Sequence, residues 1–442
     1  MNKLTSIIAR CIAVCVMSSY VNSIQAQDSV FDISQDPLLN SAYVGFKVVD
    51  LDSREVLYAE NSHKHFVPAS NTKLWTMYTT LQLCGDSIPG WSIASDAHTL
   101  YIEPNGDPTF LQREFKEQKL FDLLKSTDKT ICFVLPSAKG FGRLGSGWSW
   151  GTWQSTGSPE RSVMPIYGNL IRFYRNKGNI ITARPSYFNS SIQQPSTDIM
   201  SDYVTVLREE HSNTFRVIKN TKGHRAIRPF TLIDNDSLVY LLLKDTLQHV
   251  KPDVKMKLVR ERPDGVQFQL FHTVPTDQLA GIMMKRSDNF YAEQMLLMSG
   301  KVKFGTFDET KIHTYVKEDL LKDVWVRGKW VDGSGLSRSN LISPDEFINL
   351  LQLIYNSKDF ERVKKILPSG NEGTLEGFYK GYESNIDAKT GGLTDHISLT
   401  GYLKTKSGKN LAFSFLVNNI RDGRPVFRKK MEEVITRIID NY

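Results

Sequence analysis

Three short segments, far apart in the chain, constrain its fold more than anything else: Ser70-Asn71-Thr72-Lys73, Ser287-Asp288-Asn289 and Lys389-Thr390-Gly391. A serine three residues before a lysine, at the start of an apolar-periodic run, puts hydroxyl and amine on one helical face. A neutral amine at that reach can take the serine proton, making a nucleophile without any histidine. The spacing alone is a weak signal, because Ser126 and Lys129 share it and read as a solvated helix end. Ser70 is raised by the other two segments, which carry hydroxyl, amide and amine groups in a set order. To act together, they require the fold to bring a helix start, a helical region and a segment entering a strand pair to one point.

Taken in order, residues 43–49 and 55–59 are β-favouring runs joined across Asp50-Leu51-Asp52-Ser53, which predicts a hairpin. The Ser70 helix is expected to run to Leu83 and stop at Gly85. Between 91 and 263, strand-like runs (99–103, 130–135, 169–175, 203–208) alternate with Gly, Ser, Asn and Pro, and 138–157 is rich in Gly and Trp. This texture predicts a large β-rich insertion. A helical pattern resumes at Thr276 and runs through Ser287 to Met298, and 347–366 holds further helix. Strands follow at 398–404 and 411–418. In the last segment Phe427, Met431, Val434, Ile435, Ile438 and Ile439 form one helical face. The other face mixes Glu432, Glu433 and Asp440 with Lys and Arg, so packing on the sheet is expected rather than lying on a membrane.

The first 26 residues differ in kind. Lys3 and Arg10 precede an apolar run from Cys11 to Val21, and small and polar residues then lead to Ala26, the pattern of a secretory signal at 1–26. The run is too short for a membrane span, which needs about 20 apolar residues, so no stable membrane anchor is expected. Arg10 and Val14, rather than small residues, stand before Cys11 and Cys15, which argues against lipid attachment. After cleavage Cys84 and Cys132 remain. An exported protein could join them in a disulfide, and two separately buried thiols explain the count equally well. The net charge of +7 suits solubility or attraction to an anionic polymer. No basic block interleaved with aromatics points to nucleic acid.

The ordered set Ser-x-x-Lys, Ser-Asp-Asn and Lys-Thr-Gly is shared by penicillin-binding proteins and class A β-lactamases. With Gly106-Asp107-Pro108-Thr109, Asp332-Gly333-Ser334-Gly335-Leu336-Ser337-Arg338 and Ala388 to Leu393, the sequence resembles the low-molecular-mass penicillin-binding proteins of the D-alanyl-D-alanine carboxypeptidase/endopeptidase type, the penicillin-binding-protein-4-like group. More than two hundred residues separate Ser70 from Ser287, like the large insertion of that group. The resemblance implies an α+β fold, with a β-lactamase/transpeptidase-like catalytic domain at 27–90 and 264–442, an antiparallel sheet flanked by helices, and an inserted domain at 91–263.

It implies roles as well. Ser70 would form an acyl-enzyme with a terminal D-Ala-D-Ala peptide, and Lys73, its pKa lowered by burial and a cation such as Lys389, would be the base. Ser287 would relay a proton to the leaving amine, and Asn289 would hold the substrate amide and Lys73. Lys389 and Thr390 would bind the terminal carboxylate beside Gly391, with Arg338 as helper. The N–H groups of Ser70 and Gly392 would form the oxyanion hole. Neither metal nor organic cofactor enters. The partners expected are peptidoglycan stem peptides, with β-lactams as covalent inhibitors, in the periplasm or cell envelope. The alternatives are a catalytically silent wall-binding homologue and an esterase.

Two departures stand out. The group usually has Thr or Ser after Lys-Thr-Gly, where this chain has Gly392. An acidic residue commonly follows the tryptophan of its inserted Gly-x-Trp-x-Trp stretch, where Trp150 here precedes Gly151. Three signals are set aside. Ser149 lies in a literal Gly-x-Ser-x-Gly, the basis of the esterase reading, but without the strand–turn–helix context an elbow needs. His63 and His65 lack ligand partners at metal spacing. No Glu-x-x-Leu-Asn segment is present, which argues against efficient β-lactam hydrolysis.

Overall fold

The computed structural model describes residues 32–176, 180–194, 204–220, 225–233 and 235–442. The expected leader, with Cys11 and Cys15, lies outside them.

The hairpin Tyr43–Asp50 and Val56–Glu60 joins a C-terminal meander to make one antiparallel sheet. Its order is Ile386–Leu393, His396–Lys404, Asn410–Asn418, Tyr43–Asp50, Val56–Glu60. Strand alternation sends neighbouring residues to opposite layers. Phe413, Phe415 and Val417 face the helix Arg424–Asn441, whose predicted apolar face is buried on them. Ala412 and Leu416 instead join the helical layer around Leu74, Trp75, Tyr291 and Phe347. Phe46 stacks on Phe415 with ring centroids 4.2 Å apart, so Phe415→Ala should cost about 3–5 kcal/mol.

The helix Lys73–Cys84 is buried on nearly every side, which suits its uniformly apolar and threonine-rich sequence. It packs against Asn289–Phe304 and Thr276–Arg286. Both of the later helical stretches prove to be pairs of helices. The pattern at 276–298 divides at Ser287, and that at 347–366 divides into Pro344–Tyr355 and Phe360–Ile366. In the first of these, Ser343 and Glu346 form a reciprocal capping box.

The long segment between these parts is β-rich, as expected. It builds a mixed five-stranded sheet in the order Met256–Val259, Thr130–Val134, Thr99–Pro104, Trp91–Ser95, Gln269–Phe271, the last strand lying beyond residue 263. Two three-stranded sheets accompany it, with helices Lys119–Ser126 and Leu238–Val250. Phe173, Phe188, Phe215 and Phe230 sit in its separate core. The helix Asn289–Phe304 is the wall between the two cores: Tyr291 and Met295 join the helical layer around Leu74 and Trp75, while Leu297 enters the insertion's core. Cys84 and Cys132 are both buried free thiols, so of the two readings the disulfide is excluded. Among the described residues no helix is long and apolar enough to cross a membrane.

Candidate active site

A turn of 3-10 helix, Ala69–Thr72, leads without a break into Lys73–Cys84, so the Ser70–Lys73 spacing is read on continuous helical backbone. Ala69 holds φ +49°, a left-handed conformation that costs a non-glycine residue about 1–2 kcal/mol and turns the chain sharply into Ser70. Two glycines let other backbones close on that turn. At Gly335, φ is +81° and a Cβ would lie 1.9 Å from the carbonyl oxygen of Ala69. At Gly391 a Cβ would lie 2.7 Å from the Pro68 carbonyl and 3.1 Å from the Ser70 nitrogen.

Lys73 is fully buried. Its Nζ donates to Asn289 Oδ1 at 2.7 Å and to the Ser334 carbonyl at 2.7 Å, and it lies 2.9 Å from Ser70 Oγ. As an ammonium it can donate to all three; losing one proton turns a lone pair toward Ser70. Burial lowers its pKa to about 8, against the pull of the nearby Asp332, Glu293 and Asp288 carboxylates. The expected cation effect falls on the other lysine. Lys389, also fully buried, is held well below the ordinary lysine range by burial and then by Lys73.

Ser287 ends its helix in the left-handed region, with φ +57° and ψ +41°. Asp288 then caps the following helix, its carboxylate accepting from the Tyr291 N–H at 3.0 Å. The break, which helical periodicity did not reveal, presents Ser287 to Lys389 Nζ at 3.0 Å. Lys389 also donates to the Thr390 carbonyl at 2.8 Å. Two Ser–Lys pairs, each a fully buried lysine with a half-buried serine on the cavity wall, therefore meet here, one local and one assembled across the chain.

Ile386–Leu393 is an edge strand. On its free side the Ala388 N–H donates to the Pro368 carbonyl, and the two-residue alternation turns the N–H groups of Thr390 and Gly392 the same way. A cavity of about 710 Å³ runs along this edge, with Ser70, Ser287, Thr390, Gly391 and Gly392 in its wall. Arg338 is not among its lining residues. It is exposed, its guanidinium donating to the Thr394 carbonyl at 3.3 Å and lying 3.3 Å from His396.

The insertion reaches into this site, which the sequence did not disclose. Asn289 Nδ2 donates to the Gly157 carbonyl at 2.9 Å, and Trp148 Nε1 donates to Asp332 at 2.8 Å. Asp332 also accepts from the Gly335 and Ser337 N–H groups, which fixes the loop carrying Ser334. Glu293 accepts the Ser334 N–H at 2.8 Å and meets buried Arg161 at 3.1 Å. Burial, and then Asp332, push the Glu293 carboxyl above its usual range. Ser149, in contrast, is an exposed loop residue before the short turn Trp150–Gln154, not a strand-to-helix elbow.

The model of the D-Ala-D-Ala carboxypeptidase 3 (S13) family matches residues 26–438. The chain is 25% identical to D-alanyl-D-alanine carboxypeptidase of Actinomadura sp. (strain R39), over 90% of this chain and 82% of that one. It is 24% identical to D-alanyl-D-alanine carboxypeptidase DacB of Haemophilus influenzae, over 96% and 95%. The crystal structure of penicillin binding protein 4 (dacB) from H. influenzae shares the fold, with a TM-score of 0.67, 20% identity and coverage of 88% and 92%. That protein has also been solved in complex with a β-lactam. The chain belongs to the S13 family.

Proposed function

We propose that, in this member of the S13 family, Ser70 is the nucleophile and Lys73 its base, acting on peptidoglycan stem peptides. The chain is a serine-type D-Ala-D-Ala carboxypeptidase. The observation that carries the residue assignment is the 2.9 Å approach of a buried amine, with its pKa lowered to about 8, to the Ser70 hydroxyl.

Neutral Lys73 takes the Ser70 proton as Oγ attacks the carbonyl of the penultimate D-Ala. The oxyanion is held by the N–H groups of Ser70 and Gly392, each worth about 3 kcal/mol. Ser287, kept in place by Lys389, hands its proton to the departing D-Ala amine as the C–N bond breaks and takes up the proton Lys73 had received from Ser70, which leaves Lys73 neutral. Lys73, freed of its proton again, deprotonates the water that attacks the ester. The shortened peptide leaves and Ser70 regains its hydrogen. Asn289 holds Lys73 on one side and the Gly157 carbonyl of the insertion on the other.

The reading extends to export through the 1–26 leader, to slow-leaving β-lactam adducts on Ser70, and to cross-link cleavage, since cross-links also contain a D-Ala amide. The catalytic unit comprises 27–90 with most of 264–442, and the inserted unit 91–263, whose sheet the strand Gln269–Phe271 completes. Intact-protein mass spectrometry after exposure to a fluorescent penicillin tests the assignment: wild type gains one adduct and Ser70→Ala gains none. An unlabelled wild type overturns it.

A further inference from the structure

Gly392 stands where the family pattern commonly places a hydroxyl, and the space its side chain would fill is occupied. A Cβ on Gly392 would lie 2.6 Å from Nη1 of Arg424 and 3.6 Å from its Cδ. Arg424 is the first residue of the C-terminal helix, almost the whole catalytic unit away from Ser70 in sequence, yet it lines the same cavity as Ser70, Thr390 and Gly391. We propose that Arg424 binds the carboxylate of the substrate's terminal residue in place of the hydroxyl that Gly392 lacks. The inference rests on the carboxypeptidase reading above and names the anion contact within it.

The other cations near the cleft are committed elsewhere. Lys389 Nζ is held by Ser287 and the Thr390 carbonyl. Arg338 donates to the Thr394 carbonyl outside the cavity lining. Arg428, which does line the cavity, donates to the Thr374 carbonyl and covers the Phe378 ring at 4.0 Å. The Arg424 guanidinium makes no hydrogen bond or ion pair among the described residues, and the residue is exposed and lines the cavity. Its guanidinium stays charged at every working pH and offers a planar fork of donors, the geometry that matches a carboxylate. Lys389, depressed by burial and then by Lys73, carries its charge less readily, so a permanent cation at the entrance complements it. A substrate backbone lying along the free edge at Thr390–Gly392 would bring its terminal carboxylate to this side of the strand. The missing side chain at Gly392 is what gives the arginine room.

The test compares two peptides, one ending in D-Ala-D-Ala with a free carboxylate and the other its C-terminal amide. Turnover is measured with wild type, Arg424→Ala, Arg424→Lys and the double variant Arg424→Ala/Gly392→Thr. The expected result is an acid-to-amide preference in kcat/KM that falls about tenfold or more in Arg424→Ala, mainly through KM. Lysine should recover part of it, and so should the double variant, whose new hydroxyl fills the vacated space. An acid-to-amide ratio unchanged in Arg424→Ala overturns the proposal. If wild type is still labelled by penicillin at Ser70, only this inference falls. If wild type is neither labelled nor active, the underlying reading falls with it.

Discussion

Lys73 lies 2.9 Å from Ser70, whereas Lys129, at the same spacing from Ser126, turns away to Ser95 Oγ at 2.6 Å and the Asp96 carbonyl. Ser126 is the last residue of its helix, and its hydroxyl folds back onto the Leu123 carbonyl at 3.1 Å. Lys129 lies past the helix end, so the one-turn geometry that would join the two is never formed. Ser70 precedes unbroken helix, and its lysine points into a packed interior. The contrast teaches that a Ser-x-x-Lys spacing supplies reach only where the helix continues through the lysine. It supplies basicity only where surrounding layers remove water from the amine.

The largest separation between the two pairs should be in acylation. Ser70→Ala removes penicillin labelling altogether, and Lys73→Met slows it about 10²–10⁴-fold by stopped-flow fluorescence. A Lys73→Met rate equal to wild type would erase the distinction.

The loop whose Ser334 carbonyl holds Lys73 is anchored through Glu293 to Arg161 of the insertion, and Arg161→Met probes that link. Leaving Glu293 buried without its cation should cost about 3–5 kcal/mol in denaturant melts. Acylation should also slow as the Ser334 loop loses its anchor. A melt unchanged within error would mean the two units are independent. Asn289→Ala should lower the acylation rate about tenfold to a hundredfold, as one hydrogen bond to the amine is lost.

The pH profile gives a smaller effect with a definite sign. Lys73 must be neutral to act, and its pKa falls from the ordinary 10.5 to about 8. The neutral fraction therefore grows as pH rises through 8. Acylation should climb about tenfold per pH unit below that point and level off above it. A rate that falls across the same interval would assign the active form to the ammonium. Least of all should happen at the second pair: Ser126→Ala and Lys129→Met should leave both the labelling rate and the melting temperature of wild type.

Much of this was legible beforehand, and the reason differs from element to element. The 43–59 hairpin, the strands near 398–404 and 411–418 and the apolar face from Phe427 to Ile439 follow from periodicities of two and 3.6, which local backbone geometry enforces. The segment through 276–298 failed on the same test. A left-handed residue at Ser287 costs little in pattern, because the apolar positions on either side keep a helical spacing. Arg338 was placed at the carboxylate by resemblance, yet its side chain is held by the Thr394 carbonyl. Arg424 went unnoticed because an arginine opening a surface helix looks like every other one.

The chain alone determined which groups could react, since a hydroxyl and an amine one turn apart are neighbours in any helix that spans both. Tertiary structure decided whether they do. Desolvation of Lys73, the meeting of Ser287 with Lys389 and the entry of Arg424 beside Gly392 all depend on contacts between separate elements that are not neighbours in the chain. Such contacts are set by strand register and by the packing of whole layers, and no local spacing encodes either.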